Sequence, residues 1–324
     1  MDKALRKECN RQGIVLFVYK MIMSTAVTVV MIGGVIGYLI GQLASGQANM
    51  DTAMEGITQQ LMQGATSGWG YMLAIAIGMA ILLFWKKPAF FQHEILKKGR
   101  TMGVVSFVTI LCLFLSAQLI SQLGMHLMDG ILGFFGKSMT EYMESVSVDT
   151  DTFSMWLYAG LAAPIFEEIL FRGLIMRSLE PYGKRMSILV SAMLFGFFHG
   201  NPVQTPFAML TGLVLGYVAM EYNVIWAMVL HMFNNLIFAD CLPRLLGSMP
   251  EILSTLIIYA VLFAFAIVAA VLLIVKRRQL VAHLKKDPIM PWQFNGAFLS
   301  PLLLVLVGSC VGDMLLFMLM VAIA

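Results

Sequence analysis

Apolar residues fall into long blocks along this chain, separated by short polar or basic segments. A helix that crosses about 30 Å of hydrocarbon needs about 20 predominantly apolar residues. Blocks near 18–43, 69–85, 102–124, 153–178, 186–199, 205–220, 224–240, 251–275 and 298–324 are the candidates. They predict an all-α fold, a polytopic transmembrane helical bundle with eight or nine helices. The blocks at 186–199, 205–220 and 224–240 are short for a full crossing, so tilted, broken or protein-covered helices are expected there. The chain divides accordingly into N-terminal spans over 1–152, a core over 153–240 and C-terminal spans over 241–324. The stretches 45–67 and 125–152, with Gly, Ser, Gln and Thr, read as outside loops with room for short surface helices.

Composition excludes a water-soluble globular domain. Of the 324 residues 60% are hydrophobic and 12% charged, whereas soluble domains carry about 25% charged residues. A net charge of +3 gives no argument for nucleic acid; the lipid bilayer is the expected solvent. Lys and Arg cluster at the N-terminus, at Lys86 to Arg100, at Arg177 to Arg185 and at Lys276 to Lys286, while the segments around Asp51 to Glu55 and Glu141 to Asp151 are acidic or neutral. By the positive-inside rule this alternation predicts a multi-pass protein of the plasma membrane with a cytoplasmic N-terminus. The first apolar block has no small-residue cleavage site and reads as a retained span. Cys9, Cys112, Cys241 and Cys310 form no CxxC pair, so neither a disulfide framework nor a cysteine metal site is expected. Glycines at 33, 37 and 41, and again at 212 and 216, recur every fourth residue, a spacing that lets helices approach closely.

Ionisable residues within apolar blocks need a partner or a function. Glu167, Glu168 and Arg172 stand in PIFEEILFRGL, His199 in LFGFFHG, and His231 and Asn235 in VLHMFNN. Lys20, His126, Glu221 and Asp240 lie nearer block ends, where snorkelling or headgroup contact is expected; Asp313 receives no assignment. Positions four apart share a helical face, so Glu168 is expected to pair with Arg172, leaving Glu167 to face a cavity. Phe195 with His199, and His231 with Asn235, likewise share faces. At about 1.5 Å per residue the glutamates and both histidines lie roughly 12–21 Å in from the cytoplasmic ends of their blocks, within one layer.

A carboxylate beside an imidazole can take a proton from water and make a nucleophile. A second imidazole with an amide can stabilise the resulting oxyanion. That is amide hydrolysis without a covalent intermediate. Two His and one Glu also form a catalytic zinc set, so Glu167, His199 and His231 are candidate metal ligands and zinc the candidate cofactor. HExxH and GxSxG are absent, which disfavours a soluble zincin or a serine elbow.

These residues make the chain resemble the CAAX protease and bacteriocin-processing family of intramembrane endopeptidases, also called type II CAAX prenyl endopeptidases or the Abi family. The family's EExxxR appears as Glu167, Glu168 and Arg172, its FxxxH as Phe195 and His199, and its HxxxN as His231 and Asn235, in order and on separate predicted helices. The resemblance covers about 153–240. It implies that Glu167 activates water with His199, and that His231 and Asn235 serve as oxyanion stabilisers or metal-side ligands. It also implies a peptide or protein substrate, lipidated or membrane-bound. Two other readings stand beside it: a non-catalytic membrane binding or bacteriocin self-immunity protein that uses the same buried polar set, and an ion-coupled transporter, disfavoured by the lack of a repeat between the two halves.

Overall fold

The computed structural model describes residues 2–46, 50–141 and 152–323, the side chains of 50–52, 283, 284, 322 and 323 excepted. Every regular element among them is helical. In chain order these are α1 (Asp2–Ser45), α2 (Met50–Thr66), α3 (Gly68–Phe90, prolonged by a π turn, Phe91–Ile95), α4 (Val104–Gly133), α5 (153–179), α6 (Lys184–Phe198), α7 (Gln204–Glu221), α8 (Val224–Leu246), α9 (Glu251–Val275), α10 (Arg277–Lys286), α11 (Pro291–Phe298) and α12 (Pro301–Ile323).

Among the described residues six helices are long and apolar enough to cross a membrane: α1, α3 with its π turn, α4, α8, α9 and α12 up to Val321. The protein is an integral membrane protein. The expected further crossings are α5, α6 and α7. α5 contains Glu167, Glu168 and Arg172, and α6 has only 15 residues, about 22 Å at 1.5 Å per residue. The stretch 45–67, read as a loop with room for short surface helices, carries the 17-residue helix α2 over 50–66. Likewise α4 continues to Gly133, since ILGFFG after Asp129 prolongs its apolar pattern. The acidic stretch 142–151 lies outside the described residues.

Packing divides the chain into two units, one made of Met1–Ile14, Phe90–Ser147 and Glu167–Ala324, the other of Val15–Ala89 and Val148–Phe166. In the second unit α1 meets its neighbours through Val27 and Met31: a Cβ on Gly70 would lie 2.8 Å from Val27 Cα, and one on Gly64 2.7 Å from Met31 Cα. Gly33, Gly37 and Gly41 meet nothing within 4 Å, so that stripe packs no helix among the described residues. The reason is angular, because position 33 is about 200° around the helix from Met31. α3 breaks at Lys87 (φ 62°, ψ 166°), where Pro88 cannot supply a helical N–H.

In the first unit α6 and α7 make the most extensive pairing, and here the expected glycine contact is present. A Cβ on Gly212 would sit 3.0 Å from Ala192 Cα and one on Gly216 2.9 Å from Ile188 Cγ2. Small residues thus draw the two backbones together. α4 packs along α7 and α9.

Candidate active site

α5 is not a regular α-helix. Its α-helical turn Ala163–Glu168 opens at Ile169 into an eight-residue π segment, Ile169–Met176, all of it buried. π segments concentrate at functional sites because the extra residue per turn re-aims side chains. Glu167 and Glu168 occupy the last positions before the opening. Glu168 Oε2 lies 3.2 Å from Arg172 Nε, and both side chains are completely buried, as the four-residue spacing predicts. The guanidinium is further held by a 3.4 Å contact from Nη2 to the Gly212 carbonyl and lies over the Phe195 ring, 4.3 Å from its centre.

α8 brings His231 between the two carboxylates. Its Nδ1 donates to Glu168 Oε1 at 3.0 Å, while Nε2 stands 3.8 Å from Glu167 Oε2, an ion-pair distance too long for a hydrogen bond. Glu168 therefore serves Arg172 with one oxygen and His231 with the other. Glu167 has the more open carboxylate, with 18% of its side chain exposed against 0% for Glu168. Two carboxylates and one guanidinium leave one negative charge, and buried charge is costly unless balanced.

His199 caps the C-terminus of α6, where Gly200 turns the chain at φ 67°. Its Nδ1 bonds the Phe195 carbonyl at 2.8 Å, so Nε2 is the nitrogen left for other partners. Phe195 spaces the two imidazoles, its ring centre 4.9 Å from that of His199 and 5.7 Å from that of His231, both edge-on. No hydrogen bond or ion pair joins His199 to Glu167 among the described residues; of the two imidazoles it is His231 that reaches the glutamates. Asn235 accepts from Asn234 Nδ2 at 3.0 Å, and the buried Asn234 accepts from Gln118 Nε2 at 2.8 Å.

In the sequence Phe195 is a motif position and not a candidate site residue, and Asn234 and Gln118 do not stand out. The only sequence signals for these last two are the consecutive asparagines of MFNN and an amide in the middle of an apolar block.

Ser191 is engaged structurally, its buried hydroxyl donating to the Phe171 carbonyl at 2.8 Å. Asp313 on α12 lies at the Gly200 turn, its Oδ2 3.7 Å from where a Cβ on Gly200 would stand. The block-end charges expected at headgroups also have protein partners: Glu221 faces Arg100, Asp240 pairs with Arg244 at 2.8 Å, and His126 bonds the Tyr259 hydroxyl. As zinc ligands Glu167, His199 and His231 do not fit. Among the described residues no three His, Cys, Asp or Glu side chains converge as a metal site needs, because His231 is held between carboxylates and His199 lies across Phe195.

Residues 149–237 match the family model described as "Type II CAAX prenyl endopeptidase Rce1-like". No curated protein and no solved structure matches the chain. The matched segment, about a quarter of the chain, runs from just before α5 into α8 and contains all seven residues of the three motifs. Over residues 149–237 the chain is similar to the Rce1-like type II CAAX prenyl endopeptidases.

Proposed function

We propose that this protein is an intramembrane endopeptidase in which Glu167 activates water, with no covalent acyl-enzyme. The observation that carries the reading is His231 held between Glu167 and Glu168. In this scheme Glu167 Oε2 takes a proton from water while His199 Nε2 orients the oxygen. The hydroxide adds to the scissile carbonyl carbon through its own electron pair, and the π pair of the C=O bond moves onto the carbonyl oxygen. His231, oriented by Glu168, donates in its protonated form to that oxyanion together with the Asn235 amide. Glu167 returns its proton to the leaving nitrogen, the oxyanion collapses to a carboxylic acid as the C–N bond breaks, and the acid passes its proton to the freed amine to leave a carboxylate. Arg172 holds Glu168 in place and takes no part in proton transfer.

The substrate is a peptide or protein already at the membrane, reaching the site from the cytoplasmic side or laterally from lipid. The basic clusters support a cytoplasmic N-terminus in the plasma membrane, by the positive-inside rule. The test uses full-length protein reconstituted in liposomes with a quenched fluorescent peptide library, some members lipidated. Glu167→Gln and His231→Ala should abolish cleavage while the purified variants keep the helical circular dichroism of the wild type. Cleavage by Glu167→Gln at wild-type rate would refute the reading; a wild-type chain that cleaves no member would turn it toward a binding or immunity protein.

A further inference from the structure

The most apolar of the six crossings, α9, ends at Val275, and the helix breaks at Lys276 (φ −90°, ψ 7°) before α10 begins. α10 therefore starts where the hydrocarbon layer ends. Its far end is fastened as well: the Asp287 side chain accepts from the Arg185 backbone N–H at 3.2 Å, and the Asp287 carbonyl accepts from Arg185 Nη1 at 3.0 Å. Arg185 stands in the first turn of α6, inside a basic cluster that the positive-inside rule puts on the same side as Lys276 to Lys286. A helix of 10 residues, about 15 Å long, that is tied at both ends to helices of the bundle runs along the bilayer surface and does not project from it. α11 is held close to Arg185, with Gln293 Nε2 donating to the Tyr182 carbonyl, and it leaves Phe294 53% exposed.

Lys276, Arg277, Arg278, Lys285 and Lys286 put five cations into eleven residues. All five are exposed, and none pairs with a carboxylate among the described residues; Asp287, the acid next to them in sequence, is engaged by Arg185. Like charges this close repel, so they call for an anionic partner from outside the chain. Among them Leu280 and Val281 are 42% and 48% exposed. At about 100° per residue, Leu280, Val281 and position 284 share an arc about 100° wide, whereas Arg278, Lys285 and Lys286 share a second such arc about 140° away. Arg277, in the first turn, reaches outward on its long stem. An acidic protein would satisfy the charges alone; a bilayer interface also takes the aliphatic face of a helix that lies in its plane. We propose that α10 is an in-plane docking surface for the anionic headgroups of membrane phospholipids, with Phe294 of α11 as an apolar anchor at the same interface. Leu280 and Val281 enter the acyl boundary, and the cations take phosphate oxygens in charge-assisted hydrogen bonds, bidentate for arginine. Each cation near the surface raises the preference for anionic lipid by about 5-fold.

The experiment titrates the full chain in detergent with phosphatidylglycerol or phosphatidylcholine and counts bound lipid by native mass spectrometry. Wild type should retain phosphatidylglycerol over phosphatidylcholine by at least about 10-fold, with the preference shrinking as salt is raised. A chain with glutamine at all five cations should fall to within about 2-fold of parity, while Arg277→Lys/Arg278→Lys and the distant control Lys97→Gln/Lys98→Gln should keep the preference to within about 2-fold. Should the five-fold variant fail to elute as folded protein, Arg278→Gln/Lys285→Gln serves in its place, with an expected loss of at least about 5-fold. A second readout places a fluorophore at Leu280→Cys or at Gln279→Cys, each with Cys241→Ser, in phosphatidylglycerol-containing liposomes. The first should be quenched by lipid spin-labelled on its acyl chain and the second by iodide in the water. Equal retention of both lipids by wild type, an unchanged preference in the glutamine variants, or iodide quenching at both positions would overturn the proposal. So would displacement of the lipid by inorganic phosphate, which would make this a site for the free anion, or tighter binding of a soluble oligoglutamate peptide, which would assign the surface to an acidic protein.

Discussion

Replacing Arg172 by methionine removes one partner of an ion pair in which both side chains are wholly buried. Methionine nearly fills the volume, so the cavity contribution is small and the electrostatic one dominates. Breaking a buried pair from one side costs about 3–5 kcal/mol, because the remaining charge has no compensation. Here Glu168 keeps its 3.0 Å bond from His231, which places the expected loss near the lower end, ~3 kcal/mol. The guanidinium also gives up its place over Phe195, a contact worth roughly 1–2 kcal/mol when desolvated, so ~4 kcal/mol in all. Thermal unfolding in detergent, followed by circular dichroism, should move down by on the order of 10 °C. The double variant Glu168→Leu/Arg172→Met should recover most of the loss, since an apolar pair of similar volume replaces a buried ion pair at little or no cost, yet it should stay inactive because His231 has lost its anchor. An Arg172→Met chain that unfolds within about 1 kcal/mol of wild type, or a double variant less stable than the single one, would refute this account of the core.

Phe195→Leu should keep the fold, at about 1–2 kcal/mol, but lower kcat at least 10-fold by releasing both imidazoles from their spacing; the peptide assay and unfolding curves together check this. Gly212→Leu should prevent accumulation of folded protein, since even a Cβ would lie 3.0 Å from the Ala192 backbone, while Gly37→Leu should be neutral; size-exclusion profiles in detergent separate the two. Ser191→Ala should leave cleavage intact and cost about 1 kcal/mol for the lost bond to Phe171, and serine-directed inhibitors should have no effect. Exhaustive chelation should leave cleavage unchanged; loss of cleavage restored by zinc would instead assign Glu167, His199 and His231 as ligands.

The sequence by itself determined the solvent and the reacting groups. Long apolar blocks with few charges are enough to demand a bilayer, and the EExxxR, FxxxH and HxxxN spacings were enough to place Glu168 on Arg172, because a four-residue step on a helix is a local property. What lay beyond it was non-local. Neither π opening, at Ile169 and at Asn234, follows from residue type; the first is wholly buried by the surrounding packing, whereas of the second only Asn234 is buried. The choice of His231 over His199 as the imidazole that reaches the glutamates depends on how α5, α6 and α8 meet around Phe195, and the four-residue rule says nothing about separate helices. Gln118 could be found only in three dimensions, because its partner Asn234 is 116 positions away. The two glycine stripes make the same point: their spacing is identical, yet only Gly212 and Gly216 have a helix against them, because tertiary packing decides which face of a helix has a neighbour.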